Sequence, residues 1–309
     1  MKGFLQQLSI FLLIASLLLF ALGRRVYKIV ESGNYLGAIA EKHQALAATS
    51  GARIIFAGGS NLAFGLNSKR LSDSLGLPVF NLGLHGGLGH EFMIREAEAV
   101  MRPGDVLVFS MEYFLSEKGG KTKYLLLADF PEAVSYFSFD LYDYLRNVVH
   151  VNFLQVLILL KLQPYMNDPV YKRKNFNAEG DIIGHLNRTS AKKIIPSTLA
   201  YRYWEGIPAL NELAKRAGEK GVKVLYLFPG FQKTAFEKNR SAIRRTEADI
   251  RKDLKIPILN TPESAVYADS LFFDSEYHLS GRGREIRTAD LIQMLTRIPG
   301  LRTRSEIPD

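Results

Sequence analysis

Four short apolar runs separated by amphipathic stretches do most to limit what this chain can fold into. Arg53-Ile54-Ile55-Phe56-Ala57, Pro78-Val79-Phe80-Asn81, Asp105-Val106-Leu107-Val108-Phe109-Ser110 and Val222-Lys223-Val224-Leu225-Tyr226-Leu227-Phe228 put apolar side chains on both sides of a strand. A strand that is apolar on both sides must be covered on both sides. Between the runs, apolar residues recur at helical spacing, as from 90 to 101 and from Ile207 to Lys220. The alternation predicts an α/β fold built on one open parallel sheet with helices on both faces, three layers in all. A chain of 309 residues is long enough to bury such a core.

The alternation lapses between about 115 and 200, where aromatic and basic residues mix without strand spacing, so a mainly helical insertion is expected between the third and fourth strands. Within it, Val148 to Leu162 is a second apolar stretch, expected as a buried helix, with a monotopic contact with the bilayer as the sharper alternative.

The N-terminus carries a run of its own, LSIFLLIASLLLFALG over residues 8 to 23. It is short for a spanning helix and long for a signal sequence, and Ala21-Leu22-Gly23 offers a small-x-small cleavage pattern. Arg24, Arg25 and Lys28 directly after it suit a headgroup-level anchor, so residues 1–29 are read as an anchor in preference to a cleaved signal. The charge flanks alone, Lys2 before and three basic residues after, would place the following part in the cytoplasm. Residues 30–309 are then one α/β domain, entered through a stalk helix over 30 to 50 on the spacing of Leu36, Ile39, Ala40, His43, Leu46 and Ala47, closed by Gly51.

An excess of 40 Lys and Arg over 31 Asp and Glu, a net charge of +9, favours anionic surfaces such as lipid headgroups or acidic polysaccharide. With no cysteine and no stacking motif there is no nucleic-acid module, no disulfide and no thiolate catalysis. No cofactor and no metal are expected, because no His pair shows ligand spacing together with carboxylates on one element.

Three segments carry chemistry. Phe56-Ala57-Gly58-Gly59-Ser60-Asn61 puts a serine at the carboxyl end of the first strand, where open α/β sheets bind ligands and where glycines allow close backbone approach. Ser60 is placed as a nucleophile with a helix beyond it containing Leu66, Leu71 and Leu75; the alternative is a simple N-cap. Phe272-Phe273-Asp274-Ser275-Glu276-Tyr277-His278 puts an imidazole shortly after two carboxylates on a loop at the same rim, the pairing that a general base for serine requires. Asn81-Leu82-Gly83-Leu84-His85-Gly86-Gly87 follows the second strand as a turn whose amides could face that rim. Tyr201-Arg202-Tyr203-Trp204 is read either as core or as a sugar-stacking platform.

Together the three segments resemble the SGNH hydrolase superfamily, over about 52 to 115 and 205 to 295. The resemblance implies a flavodoxin-like three-layer sheet, Ser60 as nucleophile, His278 as base and Asp274 as the carboxylate that orients it, with the amides of Ser60 and Gly86 in the oxyanion hole. Two positions depart from the family. Its Asp stands three residues before His, where this chain has Ser275, with Asp274 four before and Glu276 two before. In Ser110-Met111-Glu112-Tyr113, Glu112 takes the place of an oxyanion-donating Asn, and an ionised Glu cannot donate.

An anchor ahead of such a domain further resembles the D-alanyl transfer protein of teichoic-acid modification and the acetylation proteins of bacterial exopolysaccharide clusters. That implies an acyl-ester hydrolase or O-acyl (acetyl) transferase working through an acyl-serine on envelope or exopolysaccharide glycans. The domain would lie on the periplasmic side of a bacterial inner membrane, held in lipid by the N-terminal helix, with carbohydrate as substrate and a membrane acyltransferase as partner. A non-catalytic accessory protein that binds polysaccharide or such a partner is the alternative.

Overall fold

A computed structural model describes residues 2–33, 35–113, 115–139, 141–143, 145, 168–189, 193–299 and 301. Strands β1 (Ile54–Gly58), β2 (Val79–Asn81), β3 (Val106–Ser110) and β4 (Lys223–Tyr226) form one parallel sheet in the order β2-β1-β3-β4. Ile55 lies opposite Phe80 on one side and Leu107 on the other, and Phe109 lies opposite Tyr226. Beyond β4 the sheet gains one more parallel bridge, where the Tyr226 amide donates to the Pro257 carbonyl and the Leu259 amide to the Tyr226 carbonyl, each at 2.9 Å.

The expected three layers follow from the period of two along each strand. Ile55, Ala57, Leu107 and Phe109 point to one face, where they pack on Leu46 of α2 (Ile39–Ala48), Phe92 and Ala97 of α5 (His90–Val100), and Leu210 and Leu213 of α7 (Gly206–Glu219). Ile54, Phe56, Val106 and Val108 point to the other, against Leu71 and Leu75 of α4 (Ser68–Leu75) and Leu291 and Leu295 of α9 (Gly281–Leu295). Each such Ile, Leu, Val or Phe side chain, fully buried, stabilises the fold by about 1.5–3 kcal/mol. Arg53, itself buried, ties four elements at the amino edge of the sheet: its guanidinium donates to Asp105 (3.1 Å from Nε), to the Leu46 carbonyl (2.8 Å) and to the Val100 carbonyl (2.9 Å).

Several boundaries differ from expectation. The single helix after Ser60 is two, α3 (Ser60–Gly65) and α4, because Asn67 caps the second by accepting from the Arg70 amide at 3.1 Å. The stalk over 30 to 50 is also broken. Helix α1 (Lys2–Gly33) ends, Tyr35–Ala38 make a buried 3-10 turn, and α2 stops at Ala48 with an extended Thr49, so Gly51 takes its positive φ of 78° in the turn beyond. Among the described residues of the expected insertion, α6 (Thr122–Asp129), 3-10 turns at Pro131–Tyr136 and Arg173–Asn175, and helical residues at 141–143 and 145 are joined by irregular chain. The apolar stretch Val148 to Leu162 lies outside the described residues.

Helix α8 (Lys233–Asp253) and the two-stranded β5 (Phe231–Gln232) and β6 (Val266–Tyr267) complete the domain. Along α1, the side chains of Phe4, Leu5, Ile10, Phe11, Leu12, Leu13, Ile14, Leu17 and Leu18 all face outward. Among the described residues, no helix is long and apolar enough to cross a membrane.

Candidate active site

The chain runs in opposite directions across the sheet from β1, to β2 on one side and to β3 on the other, so a crevice opens at the carboxyl ends of β1 and β3. Gly58 and Gly59 carry the chain out of β1 into that crevice. A Cβ on Gly58 would lie 1.9 Å from the Ser110 carbonyl oxygen, and one on Gly59 would lie 2.2 Å from Glu112 Oε2, so a side chain at either position collides with the end of β3. Gly59, not Ser60, is the N-cap of α3, which overturns the capping alternative and leaves the Ser60 hydroxyl free for another partner.

That partner is His278. Its Nε2 lies 2.9 Å from Ser60 Oγ across 218 residues of sequence, and its Nδ1 lies 2.7 Å from Asp274 Oδ1. The loop is shaped for this. The Phe273 amide donates to the His278 carbonyl at 2.7 Å, and the chain between them folds back so that a carboxylate four residues before the histidine reaches its ring. Asp274 thus takes the orienting place, while Glu276 turns away to accept from the Ser197 amide at 2.8 Å. With Nδ1–H donated to Asp274, the Nε2 lone pair faces the serine, the tautomer that a general base needs.

Two aromatic residues hold His278 and Asp274. The Phe64 ring of α3 stacks on the His278 ring with centroids 4.0 Å apart and planes 7° from parallel. Tyr171, from the irregular insertion, donates its hydroxyl to Asp274 Oδ2 at 2.6 Å and stands 3.1 Å from His278 Nδ1. Burial and the Asp274 charge push the Tyr171 phenol far up, which keeps it a neutral donor. Tyr35, just beyond α1, packs against Tyr171 with centroids 5.6 Å apart and donates its hydroxyl to the Leu84 carbonyl in the turn before Gly86. Sequence patterning identified neither Phe64 nor the tyrosines.

Glu112 reaches the same crevice from the end of β3. Its Oε1 accepts from the Asn61 amide at 2.9 Å and stands 3.5 Å from Ser60 Oγ. Oε2 is buried and has no hydrogen-bond partner. Gly86 flanks the carboxylate on the other side: a Cβ there would lie 3.6 Å from Glu112 Cδ. The residues expected at the oxyanion hole are therefore together, but a carboxylate lies between them.

The segment Tyr201 to Trp204 does not make a stacking platform. Trp204 is buried against Tyr226 and His90, Tyr201 bonds Asp249 under the Arg245 guanidinium, and Tyr203 bonds Asp253. Among the described residues no cluster of His, Asp and Glu could hold a metal ion.

No family model matches this chain. No curated protein matches it either. Among solved structures, it is similar to one assigned as a lipolytic protein of the G-D-S-L family from Desulfitobacterium hafniense, with 10% identity over 79% of this chain and 99% of the other, at a TM-score of 0.37. The C-terminal domain of glucosamine-fructose-6-phosphate aminotransferase from Francisella tularensis is similar at 10% identity over 88% of this chain and 92% of the other, with a TM-score of 0.16. Likeness at these scores carries no argument about activity, which rests on the site itself.

Proposed function

We propose that this protein is an SGNH-type serine acyl-ester enzyme, a hydrolase or O-acyl (acetyl) transferase acting through an acyl-serine. The observation that carries the reading is the continuous relay from Ser60 Oγ to His278 Nε2 at 2.9 Å and from His278 Nδ1 to Asp274 at 2.7 Å, at the switch point of the sheet. Ser60 Oγ attacks the ester carbonyl while Nε2 takes its proton, and Asp274 stabilises the imidazolium. As the tetrahedral intermediate collapses, His278 returns the proton to the leaving alkoxide, giving the acyl-serine. Water or a sugar hydroxyl then attacks, again through His278, and restores Ser60. Which acceptor wins depends on how well water is excluded.

The acyl acceptors or donors in this reading are glycans of the cell envelope or of an exopolysaccharide, which the basic surplus of the chain suits. Helix α1 anchors the domain in a bacterial inner membrane with the domain on the periplasmic side, where a membrane acyltransferase would be its partner. The outward-facing Phe4, Leu5, Ile10, Phe11, Leu12, Leu13 and Ile14 support insertion into lipid, since so large an apolar surface is costly in water. The position of Glu112 favours a second reading, an accessory protein that keeps the fold to bind polysaccharide or such a partner.

Hydrolysis of an aryl acetate, and labelling by a fluorophosphonate, by the full chain in detergent separate the two. Activity and labelling that Ser60→Ala and His278→Ala both abolish, with folding intact, support the enzyme. A folded Ser60→Ala protein that retains full function in cells supports the accessory role.

A further inference from the structure

Glu112 is the feature of the crevice that a serine esterase does not need. Its carboxylate fills the cleft where the carbonyl oxygen of a bound ester would take up negative charge, between the turn at Gly59-Ser60-Asn61 and the turn at Gly86. It already takes one main-chain donor of that cleft, the Asn61 amide at 2.9 Å. The residue is 7% exposed, and Oε2 has no hydrogen-bond partner. Leaving a buried carboxylate oxygen unpaired is costly, so something must favour the arrangement.

Beneath the cleft lies a buried cation. Arg287 of α9 donates to the Asn61 carbonyl at 2.8 Å and to Asn61 Oδ1 and Ser110 Oγ at 3.2 and 3.3 Å, all neutral acceptors. Asn61 thus stands between the guanidinium on one side and Glu112 on the other. Burial pushes the Arg287 guanidinium down from its ordinary value, and Tyr267 and Glu112 act in the opposite direction. The buried phenols of Tyr35 and Tyr277 also feel Glu112, and His278 is joined to it through Ser60.

We infer that the Glu112 carboxylate is a built-in occupant of the oxyanion site, which holds the Ser60–His278–Asp274 triad in check until a hydrogen-bond donor on the substrate pairs with Oε2. The inference rests on the serine-enzyme reading above. A fixed anion in that cleft withdraws the Asn61 amide from the substrate and opposes the charge that builds on the attacked carbonyl oxygen. A simple ester that brings no donor is turned over slowly by such a site, even with the triad assembled.

Glu112→Gln tests this, because it keeps the shape, removes the charge and supplies an amide donor. Glu112→Ala removes the charge alone and guards against a glutamine that disturbs the fold. Both are compared with the wild-type full chain in detergent for aryl acetate hydrolysis and fluorophosphonate labelling, with melting temperature as the check on folding. We expect Glu112→Gln to raise kcat by about 10² or more, the scale of one oxyanion donor, Glu112→Ala to raise it less, and a second Ser60→Ala substitution to abolish both gains. A wild type that is active and that neither variant exceeds overturns the inference and leaves the triad in place. Folded proteins of all three kinds that neither hydrolyse nor label overturn instead the reading of Ser60 on which it rests. A gain that survives Ser60→Ala overturns both.

Discussion

Asp274→Asn is the substitution whose effect the geometry fixes most closely. Asp274 accepts twice, from His278 Nδ1 at 2.7 Å and from the Tyr171 hydroxyl at 2.6 Å. An asparagine has one carbonyl oxygen for those two donors: turned to the Tyr171 hydroxyl, it leaves the amide N–H to donate to Nδ1. That forces the proton onto Nε2, which then points an N–H at Ser60 and can no longer take its proton. The wrong tautomer in a serine triad costs about 10⁴ in kcat, on the order of 5 kcal/mol of transition-state stabilisation. Glu276→Gln changes the other nearby carboxylate, which serves the Ser197 amide and not the imidazole. Aryl acetate hydrolysis by the full chain should therefore lose about 10⁴ in kcat with Asp274→Asn and little with Glu276→Gln, while KM stays close to the wild-type value in both. The reverse order, or an Asp274→Asn enzyme within about tenfold of wild type, would refute the assignment of the orienting carboxylate.

Tyr171→Phe should lower stability by about 1.5–3 kcal/mol, the value of a hydrogen bond to a charged group, and lower kcat by roughly 10- to 100-fold through looser placement of the triad; denaturant titration and hydrolysis rates check the two parts. His185 packs between Phe64 and Phe273, and burial, followed by the charges of Arg284 and His278, pushes its imidazole down to about 4. An unfolded chain therefore binds more protons than the folded one between about pH 4 and 6.5, so stability is full above 6.5 and falls by about 3 kcal/mol as the pH drops toward 4. His185→Phe should flatten that slope in urea titrations across the window, and an unchanged slope would assign the loss to other groups. Asp105→Asn should cost about 3–5 kcal/mol by leaving the Arg53 guanidinium buried without its charge partner, read as a lowered denaturation midpoint with the slope retained.

The sheet was legible because its strands are buried on both faces. A residue such as Ile54 or Ile55 is apolar whichever way it points, and the resulting runs have no competing helical period. The bridge at Ile258 and the pair β5–β6 left no such trace, since one or two residues of pairing impose no pattern. The break between α3 and α4 did leave one: Asn67 is a good capping residue three before Arg70, but a steady spacing of leucines hid it. Lys42 shows the opposite case. It sits among apolar neighbours of α2 and is buried with its ammonium on the carbonyls of Asn81, Gly83 and Gly180, an arrangement no local pattern announces because its partners lie up to 138 residues away.

The site divides along the same line. Ser60 and His278, which the fold brings within 2.9 Å, stood out as candidates because each follows from a local requirement, a glycine-flanked turn at a strand end and an imidazole near carboxylates. Choosing between Asp274 and Glu276 needed the loop closure from Phe273 to His278, which depends on backbone geometry and not on residue type. Tyr171 has no local requirement: its hydroxyl is useful only because the fold brings it to a carboxylate 103 residues later. Glu112 was visible as the wrong residue for a donor, yet its meaning depends on Arg287, 175 positions further on and joined to it through Asn61. A buried cation, a neutral bridge and a carboxylate with one unpaired oxygen form a unit in which each member accounts for the next. If Glu112 served only as a distant counter-charge for Arg287, Glu112→Gln would weaken the fold and leave kcat unchanged. A change in kcat at constant stability would instead place its role in the chemistry of Ser60.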